Sequence, residues 1–263
     1  MEKSKKDTLI KRAAAAAVMA PATLAVIYIG IPCFNLFVMF LGCLLAWEWA
    51  EMAAPAGKKS LYVSIYAFSI SAAVWTMHII VIPLALVLAT AVAVYKSRGE
   101  KRRGLLVLGV PYITLGLGCL VWLYLLTGMA GMFWYFLLIW CVDVGGYAFG
   151  TTIKGPKLAP KISPNKTWAG LIGGMLLATA FSAVYGHYAL LPYWGKAFTI
   201  AAPFLAVIAQ IGDLIESHIK RSLGLKDSSN LIPGHGGIFD RIDGLIFAAP
   251  FALLLTIVVF HIQ

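Results

Sequence analysis

The feature that most constrains this chain is its succession of long apolar runs, separated by short polar segments. A helix needs about 20 apolar residues to cross a hydrocarbon core of about 30 Å, and the runs reach that length. They lack the strict alternation of lipid-facing and lumen-facing residues that marks a membrane barrel. Helices, whose backbone hydrogen bonds close within one segment, are the remaining way through a bilayer. Composition agrees: 61% of the 263 residues are hydrophobic and 12% charged, against about 25% charged in an ordinary soluble domain. A water-soluble fold of this size has too little interior to hide that much apolar surface. The chain reads as an all-α integral membrane protein.

Nine transmembrane helices are expected, over roughly 13–30, 31–53, 60–76, 77–95, 104–126, 129–150, 168–190, 197–215 and 244–262. The third and fourth are separated only by a short Trp75–His78 joint. The first opens with Lys3, Lys5, Lys6, Lys11 and Arg12 before an alanine run, as a signal peptide does. No small-residue cleavage site with a polar mature region follows, so it is read as a retained span. The whole is expected to form one polytopic domain, 1–263, with N-terminal spans in 1–128 and catalytic spans and cytoplasmic loops in 129–263.

Basic residues set the orientation. With nine crossings, one side receives the N-terminal tail, Lys58–Lys59, and segments 96–103, 154–166 and 216–241. That side holds 20 of the 21 Lys and Arg residues, and the other holds only Lys196. Excess Lys and Arg mark the cytoplasmic side, which puts the N-terminus inside and the C-terminus on the opposite side. The net charge of +10 is then explained by topology and by attraction to anionic headgroups, about 1 kcal/mol per basic residue. A nucleic-acid partner is not expected, because basic grooves studded with aromatics for base stacking are absent.

Cys33, Cys43, Cys119 and Cys141 lie in the spans without a CxxC pair and read as small packing residues. His78, His187 and His261 sit near span ends, and no zinc-binding spacing exists. Gly146–Gly150 and Gly170–Gly174 are spaced for close helix packing within one chain. Glu48 and Glu51 close the second span. Glu48 is placed equally well for a functional role and for the cytoplasmic interface beside Trp47 and Trp49.

The acidic residues concentrate in the last four spans. Asp143, Asp213, Glu216, Asp227, Asp240 and Asp243 are six of the chain's eleven carboxylates. Ionised groups at membrane depth face a bundle interior or a wet cavity, and an Asp143 buried there needs a cation, a metal or a proton. On the eighth helix Asp213, Glu216, Ser217 and Lys220 follow i, i+3, i+4, i+7 spacing, which puts them on one face. The helix ends near Gly224. A polar loop, Lys226-Asp227-Ser228-Ser229-Asn230, leads into Pro233-Gly234-His235-Gly236-Gly237, whose glycines allow unusual backbone angles and close approach to a ligand. Asp240, Arg241 and Asp243 open the ninth span, and the two carboxylates are spaced to converge on one cation.

Phosphate chemistry accounts for this mixture. A nucleoside triphosphate brings a divalent metal that takes carboxylate oxygens. Its own oxygens take Lys, Arg and backbone amides, and paired metals can stabilise attacking and leaving oxygens together. The loop is not a Walker motif, since no GxxxxGK[ST] occurs. A second polar element, Ser163-Pro164-Asn165-Lys166-Thr167, precedes the seventh span among Lys154, Lys157 and Lys161. Its proline keeps Ser163 out of the helix, and Lys166 and Thr167 fall at a helix N-terminus, a natural anion site. A helix-entry loop kept cytoplasmic by its lysines is the alternative.

The run Ser217-His-Ile-Lys220-Arg221, Lys226-Asp227, Pro233-Gly-His235-Gly-Gly237 and Asp240-Arg241-Ile-Asp243 resembles the signature of the phosphatidate cytidylyltransferase (CDP-diacylglycerol synthase) family. Ser163-Pro-Asn-Lys166-Thr167-Trp-Ala169-Gly170 is similar to the family's second motif, SPxKTxEG, with Ala169 where Glu is usual. The resemblance covers roughly residues 140–245. It implies that the chain transfers the cytidylyl group of CTP to phosphatidic acid, giving CDP-diacylglycerol and pyrophosphate in phospholipid biosynthesis. It implies Mg2+ on Asp213, Asp240 and Asp243, with Asp143 and Asp227 as second-choice ligands. Lys166, Lys220, Arg221 and Arg241 would hold phosphate oxygens, with Lys226 nearby. Ser163, Thr167 and Ser217 would orient phosphate or metal, and His235, Gly236 and Gly237 would line the nucleotide loop. A second cation such as K+, a homodimer, and a multi-pass position in a bacterial inner membrane are implied as well. Two other classes fit the same features: an ion transporter using the acidic cluster, and a CTP-using kinase of a lipid alcohol.

Overall fold

The computed structural model describes residues 17–75, 81–189, 192–232 and 236–261. The basic N-terminal tail, His78 and Pro233–His235 lie outside them. In chain order come α1 (Ala17–Ile29), α2 (Cys33–Ala53), α3 (Lys59–Trp75), α4 (Val81–Lys96), α5 (Arg103–Thr152), β1 (Lys157–Ala159), β2 (Ser163–Thr167), α6 (Trp168–Ala189), α7 (Pro192–Ser222) and α8 (Phe239–His261). Five of these, α2 and α5 to α8, are long and apolar enough to cross a membrane. Leu84, Val87, Ile200, Phe204 and Leu254 are each more than half exposed, an outward apolar surface suited to lipid rather than water. The chain is a multi-pass, helical membrane protein.

The expected all-α class needs one amendment. Ser163–Thr167, expected as a loop, is a strand paired antiparallel with β1, Lys157 opposite Thr167 and Ala159 opposite Ser163. Pro164 is compatible with this because it occupies an edge of a two-stranded ribbon. Two other boundaries have simple causes. α5 is broken at Gly128 (φ 65°, ψ −165°), a conformation open to glycine, between the expected fifth and sixth spans. α2 stops at Ala54, which is extended (φ −86°, ψ 146°) because Pro55 disfavours the helical region for the residue before it.

The chain divides into two compact units. The first comprises residues up to Val121 and Leu225–Ile242. Here α2 packs on α3 and α3 on α4. Its centre is Trp49, whose indole N–H donates to the Leu105 carbonyl at 2.9 Å. The ring stacks on Tyr112 at 5.4 Å and meets Phe239 edge-on at 5.4 Å. The Tyr66 hydroxyl donates to the Leu106 carbonyl at 2.8 Å, and Ser69 and Thr114 share a hydrogen bond of 2.7 Å. Such bonds satisfy polar groups where lipid offers no partner. Arg102 reaches the Met52 carbonyl, placing a cation at the negative end of α2.

The second unit comprises Trp122–Gly224 and Asp243–Gln263. Its second half of α5 lies against α6 along the expected small-residue seam. A Cβ on Gly145 would come 2.7 Å from the Gly173 carbonyl oxygen, and one on Gly170 would come 2.8 Å from that of Gly146. The helices touch backbone to backbone, as small residues permit. α6 packs on α7, Trp134 donates to Ser182 at 2.8 Å and stacks on Phe198 at 4.2 Å. The Tyr135 hydroxyl donates to the Leu245 carbonyl at 2.6 Å, tying α5 to α8 within this unit.

Candidate active site

Within the second unit, α7 runs unbroken past the expected end of its span, so the polar face from Asp213 to Lys220 is helical throughout. Ser217 Oγ lies 3.5 Å from Asp213 Oδ1, and Glu216 pairs with Lys220 at 2.8 Å. That ion pair is almost fully enclosed, with side chains 1% and 10% exposed. Asp243 comes to the same place from α8. Carboxylate oxygens of Asp213, Glu216 and Asp243 lie within 4.8 Å of one another.

Two glycines allow that meeting. A Cβ on Gly212, just before Asp213, would come 2.5 Å from Phe247 Cβ and 3.2 Å from the Asp243 carbonyl oxygen. A Cβ on Gly244, just after Asp243, would come 3.1 Å from the Ala209 carbonyl oxygen. Each aspartate therefore sits beside the residue that lets α7 and α8 close.

Three carboxylates this near one another repel unless cations share the space. Lys166 of β2 supplies one by pairing with Asp213, and Lys220 supplies another. Thr167, next to Lys166, is buried and accepts the Gly170 N–H at 3.1 Å, capping α6. This fixes the end of β2 and with it the root of Lys166. An all-carboxylate oxygen set suits a hard cation such as Mg2+.

Some expectations shift. Glu216, not assigned as a ligand, belongs to the convergent set. Asp143, expected to be buried, is exposed on α5. Asp227, Arg221, Lys226 and Arg241 are exposed and Ser163 is half-buried.

The first unit holds a second acidic centre, around Glu48. This side chain is fully buried in α2. It accepts hydrogen bonds from Ser229 Oγ at 2.5 Å, from the Ile238 N–H at 2.9 Å and from the Phe239 N–H at 2.7 Å. Ile238 and Phe239 begin α8, so the carboxylate caps its N-terminus, where orphan N–H groups and the helix dipole favour an anion. Asp240 accepts the Ser228 N–H at 3.0 Å and the Gly237 N–H at 2.8 Å. Ser228 Oγ lies 3.3 Å from Glu48 and 3.2 Å from Asp240, so both carboxylates contend for its one proton.

Two expectations about the glycine-rich loop change as a result. Asp240, expected as a metal ligand, turns its oxygens to protein donors. Gly237, expected to line the nucleotide loop, donates its amide to Asp240, and the neighbouring Ile238 and Phe239 amides donate to Glu48. Gly237 is needed because a Cβ there would strike Ser228 Oγ and Glu48 Oε1; what approaches it is the protein. Gly236 has φ 83°, and the Ile232 N–H donates to its carbonyl at 2.8 Å. A Glu late in an otherwise apolar helix, followed only by Glu51, was the available signal for Glu48.

A family profile described as "Cytidylyltransferase family" matches residues 10–259. A protein of Brucella suis biovar 1 (strain 1330) named phosphatidate cytidylyltransferase is 34% identical over 259 residues, covering 92% of this chain and 91% of that protein. The protein of that name from Bacillus subtilis (strain 168) is 41% identical over 128 residues, 49% of this chain and 48% of the relative. That from Haemophilus influenzae is 42% identical over 128 residues, 47% of this chain and 44% of the relative.

Proposed function

The chain belongs to the cytidylyltransferase family, and from that premise we propose that it transfers the cytidylyl group of CTP to phosphatidic acid. The products are CDP-diacylglycerol and pyrophosphate. A phosphate oxygen of phosphatidate attacks the α-phosphorus of CTP, a new P–O–P bond forms, and the bond to the pyrophosphate oxygen breaks. The attacking oxygen is already anionic, so no strong general base is required. Catalysis then rests on aligning and neutralising crowded phosphates.

The observation that carries this reading is the convergence of Asp213, Glu216 and Asp243 beside two lysines. These carboxylates would hold Mg2+, which when bound offsets charge on the triphosphate and on the departing pyrophosphate. Lys166 and Lys220 present ammonium groups to phosphate oxygens, with Arg221, Arg241 and Lys226 as further cationic contacts. Ser163, Thr167 and Ser217 orient phosphate, and the segment from Ser228 to Phe239, with His235, Gly236 and Gly237, holds the nucleotide. Asp240 organises that segment. Asp143 and Asp227 stand in reserve as ligands.

The distribution of Lys and Arg supports nine spans with the N-terminus inside, and a cytoplasmic site at the inner membrane of a bacterium. CTP would arrive from the cytosol while phosphatidate keeps its acyl chains in lipid. Pyrophosphate release from CTP by the purified protein tests the reaction. It should require both Mg2+ and phosphatidate; release that ignores phosphatidate, or release of CDP instead, would sink the proposal.

A further inference from the structure

We propose that Glu48 is a positioning residue that sets the affinity for the nucleotide by clasping the two ends of the glycine-rich loop. The inference rests on the assignment of that loop to CTP. The hydrogen bonds of Glu48 fall on Ser228 and Ser229 at the start of the loop and on Ile238 and Phe239 at its end. Asp240 repeats the pattern, taking the Ser228 N–H at one end and the Gly237 N–H at the other. The described ends of the loop are thus held together, and the Ile232 N–H donates to the Gly236 carbonyl at 2.8 Å.

The anchor itself is rigid. Glu48 is fully buried, and the next residue, Trp49, packs its ring against Phe239, the residue whose N–H Glu48 accepts. Among the described residues the donors to Glu48 are two serine hydroxyls and two backbone N–H groups. Loop ends that are fixed in advance do not charge their ordering entropy to the ligand. Loosening the clasp should therefore weaken nucleotide binding more than it alters the lipid substrate or the chemical step.

Glutamine keeps the shape of Glu48 but replaces one acceptor oxygen with an NH2 that faces N–H donors. In Glu48→Gln the dissociation constant for CTP with Mg2+, measured by equilibrium dialysis on the full-length purified protein, should rise about tenfold while KM for phosphatidate changes by less than about twofold. Ser229→Ala removes one of the bonds to Glu48, together with the acceptor of the Leu231 N–H, and should raise the CTP constant about threefold. A mere loss of folded protein would lower apparent kcat and leave both constants where they were. If Glu48→Gln does not fold, Ser229→Ala decides the matter. A CTP constant within about twofold of the parent in the folded variants overturns the inference, and so does a parent protein that fails to bind CTP. A parent that binds CTP yet makes no CDP-diacylglycerol contradicts the proposed reaction instead, and the binding constants still judge Glu48.

Discussion

Lys166 on β2 pairs with Asp213 on α7, joining the Ser163–Thr167 strand to the acidic helix face. The two polar motifs, about fifty residues apart in the chain, therefore belong to one site in the second unit. The pair also has a consequence for metal binding. An ammonium beside a carboxylate competes with any cation that carboxylate would hold. In Lys166→Ala the magnesium concentration for half-maximal activity should fall about tenfold, equivalent to about 1.4 kcal/mol. Turnover should fall at least about a hundredfold, because the proposed phosphate contact is lost. Magnesium titration of initial rates checks both, and an unchanged turnover with an unchanged magnesium requirement would contradict the assignment.

Asp243→Asn should abolish turnover through loss of a ligand oxygen while the protein still inserts and folds. Glu216→Gln should raise the magnesium requirement, and it also strips Lys220 of its buried partner; breaking such a pair costs about 3–5 kcal/mol. Thermal unfolding in detergent separates the two cases: Glu216→Gln should be markedly destabilised and Asp243→Asn much less so. Near-normal activity in Asp243→Asn would remove that residue from the site.

Asp240 should behave differently from Asp243 despite lying three residues away. Its carboxylate is held by loop donors, so Asp240→Asn turns an NH2 towards the Ser228 and Gly237 amides. A buried N–H left unsatisfied costs about 1–3 kcal/mol, and stability should fall in that range. KM for CTP should rise with no change in the magnesium requirement. A shift in the magnesium requirement as large as that of Glu216→Gln would restore Asp240 as a ligand.

Much of this was legible in the chain. Apolar runs gave the helices, the i, i+3, i+4, i+7 spacing gave the α7 face, and the glycine spacings gave the α5–α6 seam. What escaped were relationships between distant segments. Glu48 meets its loop across about 180 residues, and no local pattern encodes that pairing. The side to which Asp143 turns was not readable either, because α5 is apolar all round and offers no polar face for orientation. Ser163–Thr167 read as a loop because proline argues against a strand interior, while an edge position tolerates it. Gly212 and Gly244, each beside an aspartate, were visible, but only the close approach of α7 and α8 reveals their purpose.

In the proposed topology Lys196, exposed on α7, is the lone Lys or Arg on the side opposite the site. Lys196→Ala should change turnover by no more than about threefold, as for a residue remote from the chemistry. In sealed right-side-out vesicles, an impermeant maleimide should label Lys196→Cys and spare Lys161→Cys. The reverse pattern would invert the topology.

The most direct test of the central claim is the fate of the nucleotide. Purified protein is given CTP labelled in its cytidine, together with Mg2+ and phosphatidate, and the lipid phase is counted. The account predicts that the cytidine label enters the lipid in step with pyrophosphate release. Label that stays entirely in the aqueous phase, as CTP or as CDP, would contradict it.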